Sequence, residues 1–184
     1  MKDIESSEEL TGYKAKEWKR GAFTVKGFTL VVPAKMNNDV PIFYEAVAAD
    51  GRLERLKEAS SVSPWLLGLG SWDEECKKHG SRYTICIEET KYTDFSEIEK
   101  DHNLFSFNID KSYWLCFETT IQRFQERFWK DNPYKMLRAL GYKFHMGSPG
   151  VGIHFDAAPP DFDVKDNPAY EFWITVVGPK TNSG

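Results

Sequence analysis

The sequence predicts an α+β fold built from two strand–helix–strand–strand repeats, with pseudo-two-fold symmetry and an antiparallel sheet carrying helices on one face. The order of elements is the first observation. A β-rich run, a helical stripe and two further β-rich runs occur across about residues 21–90 and again across about 103–178. Local echoes are the second. Ser63-Pro64 precedes the hairpin of the first half and Ser148-Pro149 that of the second, and Tyr83-Thr84-Ile85-Cys86-Ile87 aligns with Tyr170-Glu171-Phe172-Trp173-Ile174. The third is composition. A chain of 184 residues that is 41% hydrophobic and 15% aromatic can bury one real core.

Residues 1–20 are polar and charge-balanced and read as an N-terminal tail, in which Ser6-Ser7-Glu8-Glu9 either caps a short helix or frays. The folded domain is expected over 21–179. Ala22 to Val32 is rich in Val, Phe and Thr and ends at Pro33, which predicts a strand. Asp39 then caps a helix with Pro41 in its first turn and Ile42, Phe43, Ala46 and Val47 as its apolar stripe. Leu53 and Leu56 continue a second piece after Gly51. Trp65–Trp72 and Arg82–Glu89 read as a hairpin, and the polar stretch 91–103 as a long connection. In the second half, Leu104–Ile109 leads into a strand over Tyr113–Thr119. Thr119 and Gln122 have capping-box spacing for a helix carrying Ile121, Phe124 and Phe128. Asp131-Asn132-Pro133 breaks it, and a short helix follows to Leu140, closed by Gly141. Strands over Val151–Asp156 and Ala169–Val177 complete the repeat, and Lys180 to Gly184 read as a loose end.

Composition excludes several functions. The net charge is −4 and no Lys/Arg run exceeds two residues, so this chain lacks the basic face that direct nucleic-acid binding requires. No apolar run approaches membrane length and no charged-then-apolar leader opens the chain, which predicts a cytoplasmic protein without membrane contact. Cys76, Cys86 and Cys116 are odd in number and read as reduced, buried small hydrophobes. Cys76 and His79 have metal-like spacing but no second pair, so they read as surface residues of a polar loop; neither a metal nor another cofactor is expected. His154 reads as a strand residue rather than a base. The sequence carries no nucleophile elbow, zinc-protease, phosphate-loop or dinucleotide fingerprint.

The duplicated pattern resembles the GyrI-like family of bacterial transcription-activator effector-binding domains, in particular its stand-alone branch with integron-cassette proteins. The resemblance rests on Phe23-Thr-Val-Lys-Gly27, the helix from Val40 through Gly51-Arg52-Leu53, Arg82 to Glu88, Leu140-Gly-Tyr-Lys-Phe144, and above all Tyr170-Glu-Phe-Trp-Ile-Thr-Val176, which is close to the family's YEIWIPV strand. Two features depart from it. Lys135-Met-Leu-Arg138 replaces the usual WLP, and Ile153-His-Phe-Asp156 stands where the family has an FExY-like strand. The resemblance implies a ligand cleft between the halves, in which an acidic residue ringed by aromatics holds amphipathic, often cationic compounds.

Alternation along the last strand puts Tyr170, Phe172, Ile174 and Val176 on one face and Glu171, Trp173 and Thr175 on the other. The residues alone leave Glu171 open as either a solvated strand residue opposite a Lys or Arg, or a ligand carboxylate. The resemblance implies the second, with Trp173 beside it. Pseudo-symmetry puts Thr84, Cys86 and Glu88 on the matching face of the first half. Trp114, Cys116 and Glu118 join them from the central strand, unless Tyr113, Leu115 and Phe117 take that face. Trp72 and Phe155, matched across the hairpins, are either cleft walls or plain core. The expected function is a small-molecule effector-binding domain linked to transcriptional regulation or drug response. The alternatives are a hydrolase of electrophilic small molecules, with Glu171 activating water, and a gyrase-inhibitor-like module for a protein partner.

Overall fold

A computed structural model of the protein describes residues 1–32, 39–72, 76, 80–147, 151–160 and 162–177. In chain order the elements are β1 (Lys2–Asp3), α1 (Ser7–Thr11), β2 (Ala15–Arg20), β3 (Phe23–Val32), α2 (Asp39–Ala49), α3 (Arg52–Glu58), β4 (Leu66–Ser71), β5 (Ser81–Glu89), α4 (Ser96–Glu99), β6 (Phe105–Ile109) and β7 (Ser112–Thr120). Next comes α5, which starts as an α-helix over Ile121–Arg123, widens into a π-helical turn over Phe124–Phe128 and ends as Trp129–Asp131. The chain closes with α6 (Pro133–Ala139), β8 (Met146–Gly147), β9 (Val151–Gly152), β10 (His154–Ala158) and β11 (Ala169–Val176).

Nine strands form one antiparallel sheet in the order β1-β2-β7-β11-β10-β4-β5-β3-β6. Read outward from the central β4–β10 pair, one side runs β4-β5-β3-β6 and the other β10-β11-β7-β2. These are the same roles in the same order, so the duplication legible in the sequence is a duplication of the fold. The pseudo-two-fold axis passes between β4 and β10.

On one face, helices cover the sheet. Val47, Leu53 and Leu56 pack on Ile85 and Ile87 in the first half, and Phe128, Met136 and Leu137 on Phe172 and Ile174 in the second. Phe172 is completely buried and touches the rings of Phe124, Phe128 and Trp129. Phe172→Ala should therefore cost about 3–5 kcal/mol, read from the denaturant midpoint; a loss below about 1 kcal/mol would show that this ring is not a core anchor.

The opposite face holds a second core of Leu67, Leu69, Cys86, Trp114, Cys116, Phe155 and Trp173, covered by Trp18, Phe23, Trp65 and Phe107. The sheet curls towards this face. Arg20 of β2 forms an ion pair with Glu88 of β5 although β7, β11, β10 and β4 lie between them in the sheet. The Arg20 guanidinium also sits 3.5 Å from the centre of the Phe23 ring and 4.7 Å from that of Trp18, a cation–π arrangement that seals the curl.

Some expectations need correction. Residues 1–20 are not a tail. β2 pairs with β7 along Ala15–Arg20, the Tyr13 hydroxyl donates to Asp131 at 2.8 Å, and the Ala15 amide donates to the buried Ser7 hydroxyl at 2.9 Å. The segment reads as polar because its charged residues find partners that lie far away in sequence: Lys16 pairs with Glu118 and Arg20 with Glu88. Ile42 is 62% exposed, so the buried stripe of α2 runs through Phe43 and Val47 instead. Phe23 and Val25 belong to the core of the curled face rather than to the helix–sheet core. Thr120, not Thr119, caps α5 by accepting from the Arg123 amide, and the 91–103 connection contains α4. The Val151–Asp156 strand breaks at Ile153 into β9, which pairs with β8, and β10. Cys76 is buried, whereas His79, Ser148-Pro149 and residues 180–184 lie outside the described residues. No helix among the described residues is long and apolar enough to cross a membrane.

Candidate ligand-binding cleft between the two halves

The helices of the two halves stand apart above the central strand pair and leave a cleft over the pseudo-two-fold axis. The floor follows from alternation. β10 directs His154 and Asp156 to the helix face and Phe155 and Ala157 to the curled face. Across the ladder, Gly70 pairs with His154 and Gly68 with Asp156, so the facing strand offers no side chains there. The space is already taken. A Cβ on Gly68 would lie 2.3 Å from Asp156 Oδ2 and 2.1 Å from the Tyr83 hydroxyl.

Two tyrosines hold the acid. Tyr83 of β5 donates to Asp156 Oδ2 at 2.9 Å and Tyr170 of β11 donates to the same oxygen at 3.0 Å. They are the pseudo-symmetric residues of the two halves, one at each side of the axis. The walls are aromatic: Trp72 after β4, Phe124 and Trp129 from α5, Tyr134 from α6, and Phe144, with Val40 and Pro41 of α2 at the rim. The π-helical turn widens α5 where it borders the cleft, a placement such turns often have at functional sites. The cavity holds about 1040 Å³.

The electrostatics are simple. Burial pushes the Asp156 carboxyl up from 3.8 to about 6, and the hydrogen bonds from Tyr83 and Tyr170 pull it back only in part. Burial lowers His154 to about 4, so the imidazole is neutral at pH 7. It stacks on Phe172 and meets the edge of Trp129. Tyr83, Tyr170 and Tyr44 are all raised by burial and by the Asp156 charge, and stay neutral. Arg82, which also borders the cleft, lies over the Phe105 ring at 4.4 Å and donates to Thr29. At neutral pH the floor therefore carries one carboxylate in an aromatic surround, without an ion-pair partner for it among the described residues.

Solved structures share this architecture. SAV2435, solved bound to tetraphenylphosphonium, is 12% identical with a TM-score of 0.68, over 92% of this chain and 97% of its own. A Staphylococcus aureus protein described as a bacterial transcription regulation protein is 13% identical with a TM-score of 0.62, over 90% and 98%. An integron cassette protein from Vibrio cholerae is 12% identical with a TM-score of 0.54, over 89% and 95%. This chain has their fold. No family model and no curated protein matches the sequence.

Of the residues singled out in the sequence, the structure brings Trp72 to this cleft, 49% exposed on its wall. The other six lie on the curled face. Glu171 accepts from the Trp173 indole at 2.6 Å, near the Lys16–Glu118 ion pair, and burial raises its carboxyl. Trp173, Trp114, Phe155 and Cys86 are closed within the second core, where burial holds the Cys86 thiol protonated. Glu88 is taken by Arg20. Trp72 and Phe155 are not counterparts either. Aligning β5 with β11 matches Leu69, opposite Thr84, with Ala157, opposite Glu171, so Phe155 answers to Leu67. Alternation sorted the faces correctly, but the cleft lies on the side of the helices because the sheet curls shut on the other.

Sequence reasoning missed Asp156, His154, Tyr83, Tyr170 and Trp129. A signal was present: Gly68-Leu-Gly70, which leaves room on one face, and His154-Phe-Asp156, which puts two polar side chains on one face of a central strand.

Proposed function

We propose that the chain is a GyrI-like effector-binding domain that senses aromatic or amphipathic cations in this cleft, as part of a transcriptional response to them. The observation that carries this reading is Asp156: a half-buried carboxylate with no ion-pair partner among the described residues, held by one tyrosine from each half beneath five aromatic walls. Such a group attracts a desolvated cation, and flat rings add about 0.5–2 kcal/mol each in cation–π and stacking contacts. The shared fold with SAV2435, which was solved with a lipophilic cation, supports the same reading.

Titration with tetraphenylphosphonium, followed by the fluorescence of Trp72 and Trp129, tests it against neutral triphenylphosphine oxide. The cation should bind at least about tenfold tighter, a difference near 1.4 kcal/mol. With Asp156 titrating at about 6, only its ionised fraction attracts the cation, so affinity should fall about tenfold between pH 7 and pH 5. Equal binding of cation and neutral compound, or an affinity that ignores pH, would overturn the proposal.

A further inference from the structure

We infer that the cleft selects cations bearing N–H groups, protonated amines or amidines, over quaternary cations of the same shape. The inference deepens the proposed cation site and depends on it. Its basis is the way hydrogen bonds are shared on the floor. Both phenols, Tyr83 and Tyr170, spend their donors on one oxygen of Asp156, Oδ2. No side-chain donor among the described residues reaches Oδ1. The next cleft-facing residue on the same strand, His154, makes ring contacts with Phe172 and Trp129, and neither of its ring nitrogens hydrogen-bonds among the described residues. Two residues along a strand span about 7 Å, so the carboxylate and the neutral imidazole stand side by side on the floor.

The floor is thus short of donors. Its phenols are committed, Gly68 and Gly70 contribute no side chain, and its two open sites include a charged acceptor. A protonated amine fills them with charge-assisted hydrogen bonds. A trimethylammonium or phosphonium group satisfies the charge but leaves Oδ1 and the imidazole acceptor desolvated without a donor, which is the situation that gives sites their strongest discrimination. The aromatic walls do not distinguish the two classes, because ring faces attract both.

The test is a matched pair measured by calorimetry at pH 7.5 on the unaltered protein: 2-naphthylmethylammonium and its N,N,N-trimethyl analogue, with tetraphenylphosphonium as reference. The primary amine should bind at least about tenfold tighter than the trimethyl compound. His154→Leu should shrink that ratio, because the amine loses one acceptor and the trimethyl compound no longer leaves the imidazole without a donor. If the trimethyl compound and tetraphenylphosphonium bind as tightly as the amine or more tightly, the N–H selectivity is overturned and the cation cleft stands. If none of the three binds, both fall.

Discussion

Asp156→Asn should lower the affinity for tetraphenylphosphonium by at least tenfold while leaving triphenylphosphine oxide unchanged, and should make the protein more stable at neutral pH. The first effect follows from removing one member of a desolvated charge pair, typically about 2–5 kcal/mol, while the amide keeps the shape. The second follows from linkage. Because the Asp156 carboxyl titrates at about 6 in the fold instead of 3.8, between these values the folded protein holds a proton that the unfolded chain has lost. Stability therefore falls as pH rises through this window, by about 2–3 kcal/mol in all. His154 works the other way. Lowered from 6.5 to about 4, it leaves the unfolded chain with the extra proton, so stability rises over nearly the same range. In the native protein these two slopes oppose each other and largely cancel from pH 4 to 6. Asp156→Asn removes one of them, and its urea-unfolding free energy should climb across that interval. A variant that binds the cation normally, or whose pH profile follows the native one, would remove Asp156 from both roles.

Gly27→Ala should destabilise the protein by at least about 3 kcal/mol, the upper end of the usual cost of overpacking. On β3, Gly27 stands opposite Cys86 of β5 and Phe105 of β6. A Cβ there would lie 2.0 Å from the Ile85 carbonyl oxygen and 2.6 Å from Cys86 Cα. These are backbone atoms of a strand hydrogen-bonded on its other side to β4, so no rotamer change relieves the clash; the ladder must open. For a chain of this size the melting temperature should drop by about 6–12 °C. Gly21→Ala is the control, since nothing lies within 4 Å of its added methyl, and it should be near neutral. Equal stability of the two variants would show that the strands can separate without cost.

Much of the fold was legible because period-two and period-3.6 patterns are local. The strands around Tyr83–Ile87 and Tyr170–Ile174, the glycine and proline breaks at Asn132-Pro133 and Gly141, and the duplication itself all stand in the chain order. The strand β2 was not, because a run carrying Lys16, Lys19 and Arg20 reads as solvent-facing. The cleft was legible only in part. Alternation correctly separated Glu171 and Trp173 from Phe172 and Ile174, yet which face stays open depends on sheet curl and helix spacing. Those are set by contacts such as Arg20 with Glu88, 68 residues apart in sequence. Asp156 was hidden for the same reason. Its meaning comes from Tyr83 and Gly68, brought beside it from the other half.

The floor of the cleft has two-fold scaffolding and a one-fold charge. The strand register makes Gly68 the counterpart of Asp156, while Tyr83 and Tyr170 repeat each other faithfully. A duplicated pocket would otherwise read a ligand the same way from either end. The single carboxylate breaks that symmetry, so under the proposed reading an elongated guest with its charge at one end would be held in one orientation rather than two. The second half supplies the carboxylate and four of the five aromatic walls, and the first half answers with Trp72, Tyr83 and the bare glycines of β4.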